Sequence, residues 1–213
     1  MRVAMIGATG LIGRALAPRL AATHELLLIG RRPAGVQGAE EQVAPLDEWP
    51  ALLAGEKIDI AISTLGTTIR QAGSWNAFRA VDVTAVFGFA EAALTAGARQ
   101  MLSVSSVGAN ASARNRYLAM KGAAEDGLAA LGFERLDIVR PGLLRGDRGG
   151  DRRLGERIGS AISPVANLLL RGPLDRFAAI DAERVAAAMA ALVGAQGEGR
   201  RVHFNRDLKM LAA

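Results

Sequence analysis

The chain opens on a pattern that few folds accommodate. Residues 3 to 13 read VAMIGATGLIG, a short apolar run that stops at Gly7, with further glycines at Gly10 and Gly13. Arg2 to Ile6 is short and apolar and ends in glycine, so it predicts a buried strand. Leu11 to Ala22 predicts a helix, so the chain must turn between them across Gly7 to Gly10. A turn that tight needs a residue tolerant of positive φ. A backbone lacking side chains also lets an anion approach the free N–H groups and dipole at the helix start. Strand, GxxGxxG turn and helix open a βαβ unit and predict a dinucleotide diphosphate site.

The same alternation continues. Strands are expected at Glu25 to Ile29, Ile58 to Ser63, Gln100 to Val104 and Glu134 to Val139, and helices at Asn76 to Ala96 and Arg114 to Leu131. Residues 33 to 56 read as irregular, with a short helix from Pro50 to Ala54, where proline suits a first turn. Apolar strands alternating with helices predict an α/β, Rossmann-like, doubly wound parallel sheet covered on both faces. Beyond Arg140-Pro141-Gly142 the regularity weakens. A glycine- and arginine-rich loop at 143–157 precedes an apolar stretch at 158–170 broken by Pro164. A helix over Asp181 to Val193 and a short strand around Val202 to Phe204 follow. The expectation is a single NAD(P)-binding domain, 1–213, with 143–213 forming a small C-terminal helical lobe over the substrate site.

Composition removes several function classes. The chain has no cysteine, which excludes a disulfide framework, a thiolate metal site and a cysteine nucleophile, and which fits a reducing cytoplasm. Two histidines far apart in sequence make a histidine metal site improbable, so no metal is expected. The net charge of +5 comes from scattered arginines that are not interleaved with aromatics, against a nucleic-acid platform. The first apolar run is too short for a signal peptide, and no run reaches membrane-spanning length. The expected partner is a small-molecule substrate, with no nucleic acid and no membrane, in a monomer or homodimer located in the cytoplasm.

The second strand ends in Gly30-Arg31-Arg32, where an NAD site usually carries an acid for the ribose 2′-hydroxyl. Two guanidiniums would instead pair with a 2′-phosphate, which predicts NADP(H). Further on, the chain's one tyrosine, Tyr117, stands four places before Lys121, one of only three lysines. On a helix this spacing puts both on one face. A phenol is a poor proton shuttle at neutral pH, and a neighbouring ammonium favours its ionised form. Such a tyrosine can protonate a carbonyl oxygen or deprotonate an alcohol. Ser105 and Ser106 end the Gln100 to Val104 strand, where a parallel sheet presents its ligand edge. Taken singly, the bland readings are a packed tyrosine beside a solvated lysine, and serines that form a turn.

GATGLIG, the Ser105-Ser106 strand end and YLAMK resemble the short-chain dehydrogenase/reductases, in their atypical or extended branch. The likeness runs on through STLGTT (63–68), Ala80-Val81-Asp82, SSVGANASARNRYLAMKGAAE (105–125) and RPGLLRGDR (140–148). It implies that Gly7, Thr9, Gly10, Leu11, Ile12 and Gly13 line the diphosphate and that Arg31 and Arg32 take the 2′-phosphate. Thr64 and Leu65 would flank the adenosine or diphosphate, Leu143 would approach the nicotinamide, and Arg152 would reach the cofactor. Tyr117 and Lys121 would be catalytic and touch cofactor, with Ser106, then Ser105, as the hydroxyl donor. Val43 to Leu46 stands where the family often has an acid near adenine. Asp82 reads as a structural residue paired with an arginine. The implied activity is NADP(H)-dependent oxidoreduction of a small carbonyl or alcohol. The rival reading is a non-catalytic NADP(H)-binding sensor, regulator or assembly factor. A nucleotide-sugar epimerase fits less well, given the short C-terminal part.

Overall fold

A computed structural model describes residues 1–146 and 172–213. Arg152 and the apolar stretch 158–170 lie outside the described residues.

Seven parallel strands form the main sheet in the order β3-β2-β1-β4-β5-β6-β9. They are β1 (Arg2–Ile6), β2 (Glu25–Gly30), β3 (Ala39–Val43), β4 (Ile60–Ser63), β5 (Gln100–Val104), β6 (Arg135–Val139) and β9 (Gly199–His203). Central strands such as β4 and β6 are buried along their whole length, as strands covered on both faces must be. Alternate side chains feed two cores. On one face Val3, Met5, Leu28 and Ile62 meet α1 (Leu11–Ala21) and α6 (Ala182–Leu192). On the other, Ile6, Ile29, Met101 and Ile138 meet α4 (Val86–Thr95) and α5 (Arg116–Ala130). Alanines at 85, 90 and 93 let α4 lie close to the sheet. The doubly wound α/β fold is therefore present.

Three local expectations change. Residues 33–56 are not wholly irregular, because Ala39–Val43 forms edge strand β3, pairing Leu26 with Ala39 through Gly30 with Val43. Its sequence, AEEQV, is polar and half exposed, so it lacks the apolar run that marks the inner strands. After the short α2 (Ile69–Ala72), the expected helix from Asn76 to Ala96 is α3 (Trp75–Arg79), a π-helical stretch Ala80–Ala85, and α4 in succession. The C-terminal part supplies β9 and α7 (Asn205–Leu211). It also supplies β8 (Ala179–Asp181), which pairs with β7 (Leu143–Arg145) in a separate two-stranded sheet.

Asn205 ties this region to the Pro-Gly turn. It is fully buried. Its carbonyl accepts from Gly142 N at 2.9 Å, and its amide donates to Asp175 O and Ala178 O. A side chain at Gly142 would overlap the Ala178 carbonyl. Among the described residues no helix is long and apolar enough to cross a membrane.

Candidate functional site

Gly7, Gly30, Thr64, Ser105 and Arg140 end or follow β1, β2, β4, β5 and β6, so all stand at the carboxyl edge of the sheet. The strand order reverses between β1 and β4, and such a switch point is where an open α/β sheet offers a crevice.

The glycine turn is built by contact as much as by flexibility. Gly7 has φ +87°, and a Cβ there would lie 2.5 Å from Leu65 N and 2.8 Å from Thr64 Oγ1. A Cβ at Gly13 would overlap the Gly7 carbonyl, so only glycine lets α1 start against the turn. Gly10 caps α1 without any side-chain hydrogen bond, and the first turn holds no acid. A helix start so arranged favours an anion. A cleft of about 330 Å³ opens beside it, lined by Gly7, Ala8, Thr9, Arg31, Arg32 and Leu65 among others. Arg31 and Arg32 are exposed there and form no ion pair with any described residue. Glu41, the one carboxylate among the described residues of the cleft, accepts from Ala34 N at 2.7 Å and Val36 N at 2.8 Å. It shapes the arginine loop. Backbone closeness, a bare helix start and free guanidiniums fit a dinucleotide with phosphate groups.

Thr9, Leu65, Arg31 and Arg32 thus border one cleft with Gly7. Gly10, Leu11, Ile12 and Gly13 are not in its lining; Leu11 and Ile12 open α1, Ile12 turning into the core. Thr64 is buried and donates its hydroxyl to Ile6 O. Leu143 lies half buried on β7. Val43 and Gln42 line the cleft near the fully buried Trp49, whereas Asp47 is exposed and outside it.

The second half of the site is a row along α5. Asn115 caps this helix, its side chain accepting from Tyr117 N and Leu118 N. Tyr117, Lys121 and Glu125 follow at one-turn intervals on a common face. Lys121 is not solvated but 6% exposed. Its Nζ lies 2.6 Å from Oδ1 of Asp82, which is itself 2% exposed. Asp82 is thus paired with a lysine, contrary to the expected arginine. Its other oxygen accepts from Thr67 N at 2.8 Å. Burial pushes the Asp82 carboxyl up, against the opposing pull of Lys121. Gly66 lies over this pair. Segment 64–67 therefore touches the glycine turn with its first residues and the lysine with its last.

One turn on, Glu125 is 2% exposed and gathers three strands. It accepts from Ser105 Oγ at 2.5 Å, from Arg140 at 2.8 and 2.5 Å, and from Arg200 at 2.8 Å. The two serines differ accordingly. The Ser105 hydroxyl is buried against Glu125, while Ser106 is partly exposed and makes only a 3.4 Å contact with Val107 O. Gly122 lets the 106–115 loop lie on α5, because a side chain there would overlap Asn110 and Ala111. Sequence reasoning did not single out Glu125 or Glu41. The spacing Tyr-x3-Lys-x3-Glu was a visible sign of the first. Nothing local marks the second.

The profile of the NAD dependent epimerase/dehydratase family matches residues 3–123, more than half of the chain. The chain belongs to the NAD dependent epimerase/dehydratase family. Curated relatives extend the match beyond that segment. "Protein FMP52, mitochondrial" of Candida albicans is 32% identical over 197 residues, 87% of this chain and 86% of that protein. Its namesake in Coccidioides immitis is 31% identical over 234 residues, 98% of this chain and 95% of that one. Among solved structures, MoeE5 in complex with UDP-glucose and NAD superposes with TM-score 0.71 at 16% identity, covering 100% of this chain and 81% of that one. A short-chain dehydrogenase/reductase superfamily protein from Agrobacterium tumefaciens with bound NAD gives 0.70 at 17% identity, covering 96% and 77%. The resemblance to atypical and extended short-chain dehydrogenase/reductases therefore holds for this epimerase/dehydratase-family chain. The expected cytoplasmic location does not, since these curated relatives carry mitochondrial names.

Proposed function

We propose that the protein is an NADP(H)-dependent oxidoreductase that moves a hydride to or from a small carbonyl or alcohol through Ser106, Tyr117 and Lys121. The observation that carries this reading is the span of residues 64–67. Gly7 packs on Thr64 and Leu65, and Gly66 stands over Lys121 and Asp82. One short segment thus joins the glycine turn to the α5 row, which supports a shared site. When bound, the nicotinamide cofactor supplies or accepts the hydride. Tyr117 gives its hydroxyl proton to the carbonyl oxygen, or takes it from the alcohol in reverse. Lys121, paired with Asp82, stands one turn from Tyr117 and would offer its remaining N–H bonds to a ribose. Ser106 hydrogen-bonds the reacting oxygen, in preference to Ser105, whose hydroxyl is committed to Glu125.

The structural neighbours named above hold NAD. NADP(H) is favoured here by Arg31 and Arg32, which pair with no described residue, and by Glu41, whose carboxylate is already held by the Ala34 and Val36 N–H groups. Leu143 and Arg152 complete the proposed cofactor contacts.

Calorimetric titration with NADPH and then NADH tests the cofactor assignment. Binding of NADPH at least tenfold tighter is expected, and no binding of either would leave the glycine turn as scaffold. With a turned-over aldehyde in hand, Tyr117→Phe is expected to lower kcat by about 10²-fold or more. Unchanged kcat would sink the catalytic assignment and favour the sensor reading.

A further inference from the structure

The two segments that border Tyr117 are unlike the rest of the chain in charge. Residues 64–81 and 105–124 contain Arg70, Arg79, Arg114, Arg116 and Lys121 and not one acid. The acid that follows each segment, Asp82 after the first and Glu125 after the second, is buried and already paired, the first with Lys121 and the second with Arg140 and Arg200. The four arginines are exposed and form no ion pair with any described residue. Among the described residues these segments therefore carry positive charge with no acid partner, separate from the Arg31-Arg32 pair beside the glycine turn. Such a surface concentrates and steers anions.

One of these arginines is also held in place. The Arg116 guanidinium lies 4.9 Å from the centre of the Trp75 ring. Trp75 meets Phe78 edge-on at 5.9 Å, and Phe78 meets Tyr117 edge-on at 5.7 Å. Phe78 is fully buried, so the line of rings is anchored in the core, while Trp75 remains partly open. The chain has only nine Phe, Trp and Tyr residues, and three stand in this line. A guanidinium stacked on an aromatic face keeps its N–H fork free and gives up less rotamer freedom on binding. With no acid partner among the described residues, the stacked fork is available beside the proposed proton donor.

We propose that Arg116, held on Trp75, is the anion anchor of the substrate site, and that the carbonyl substrate carries a carboxylate or phosphate. This rests on the oxidoreductase reading above and names its substrate class. Arg116 orients the substrate by a forked, charge-assisted contact, and Arg70, Arg79 and Arg114 supply steering.

The test compares 4-carboxybenzaldehyde with its neutral analogue 4-formylbenzamide in the NADPH-dependent reaction of the full chain, with 4-formylphenyl phosphate as the phosphate arm. An anionic aldehyde is expected to show about tenfold or higher kcat/KM than the amide, carried mainly by KM. Arg116→Gln is expected to bring that ratio towards one, Arg116→Lys to retain part of it, and Trp75→Leu to fall between. A ratio near one in the unaltered protein, or one insensitive to Arg116→Gln, overturns the proposal. If no aldehyde is turned over, calorimetry with terephthalate, on free and NADPH-loaded protein, decides. Saturable binding weakened by Arg116→Gln upholds the anchor while the hydride reading fails. Absence of terephthalate binding overturns the anchor.

Discussion

The two halves of the crevice are made by different physics. The nucleotide half is backbone against backbone: Gly7 on Thr64 and Leu65, and Gly13 against the Gly7 carbonyl. The α5 half is side chain against side chain: Asp82 with Lys121, and Glu125 with Ser105, Arg140 and Arg200. Backbone contact fixes shape and leaves the surface free to take an anion. Buried ion pairs fix charge, and they do so across segments far apart in sequence. A single methyl group damages the first kind. A single lost charge damages the second, because the orphaned partner stays buried.

The largest expected effect therefore belongs to the α5 half. Glu125→Ala strips the carboxylate from Arg140, whose side chain is 17% exposed, and leaves the Ser105 hydroxyl without its acceptor. A loss of about 3–5 kcal/mol in urea unfolding is expected. Glu125→Gln, which preserves shape, separates charge from packing. If Glu125→Ala cost less than about 1 kcal/mol, the network would be no more than a surface ion pair and the contrast would fail.

Gly13→Ala and Gly122→Ala are the matched pair for the backbone half. Each adds one methyl group where a Cβ overlaps backbone, against the Gly7 carbonyl in one case and the 110–111 peptide in the other. Overpacking of this kind costs about 1–3 kcal/mol. The two should differ in consequence. Gly13→Ala is expected to weaken NADPH binding by more than its loss of stability explains. Gly122→Ala, which displaces the 106–115 loop, is expected to leave binding nearly intact and lower turnover. Thermal unfolding read alongside calorimetry and kinetics makes the comparison.

This division also governs what the sequence discloses. Backbone devices are local, so Gly7, Gly10 and Gly13 announce themselves by spacing, and Tyr117 and Lys121 by one helical turn. The inner strands are legible because burial on both faces demands continuous apolar runs. Strand β3 is not, since an edge strand is free to be AEEQV. The partner of Lys121 is not either: Asp82 reaches it from a π-helical stretch whose existence no apolar period signals. Nor can spacing say which of two adjacent serine hydroxyls is tied up. Glu125 claims that of Ser105, while Ser106 keeps only a 3.4 Å contact with Val107 O. The tie between Asn205 and Gly142 joins a terminal helix to a turn far upstream, a contact with no local trace.

A third buried charge cluster tests whether side-chain pairing has the same character away from the crevice. Asp137 is fully buried and accepts from Arg135 at 2.6 Å, Gln100 at 2.8 Å and His203 at 2.8 Å. Burial would push its carboxyl up, but hydrogen bonds from His203, Arg135 and Gln100, with the charge of Arg135, outweigh it and hold the value at about 2. A folded value below the unfolded one means the carboxylate stabilises the fold at and above the unfolded value of about 4. That stability drains away as pH falls from there through about 2. The contribution at stake is about 2 kcal/mol. Asp137→Asn should be less stable than the unaltered chain at pH 5, with the gap narrowing towards pH 2. A gap that stayed constant would remove the titration from the account.

The smallest effect sits where charge is free. Arg31 and Arg32 are exposed at the cleft and paired with no described residue, so replacing either should scarcely move stability. Their expected role is felt only when a 2′-phosphate arrives. Arg31→Gln and Arg32→Gln are each expected to weaken NADPH about tenfold, near 1.4 kcal/mol, with NADH changed by less than about twofold. Glu41→Gln sharpens this. Its carboxylate holds Ala34 N and Val36 N, so the amide should loosen the arginine loop and weaken NADPH without improving NADH. An improvement in NADH would mean that Glu41 repels the cofactor's own charge and does more than shape the loop. Equal losses for both nucleotides in the arginine variants would mean that the guanidiniums serve the shared diphosphate, and the selectivity assigned to them would have to be sought in another part of the cleft.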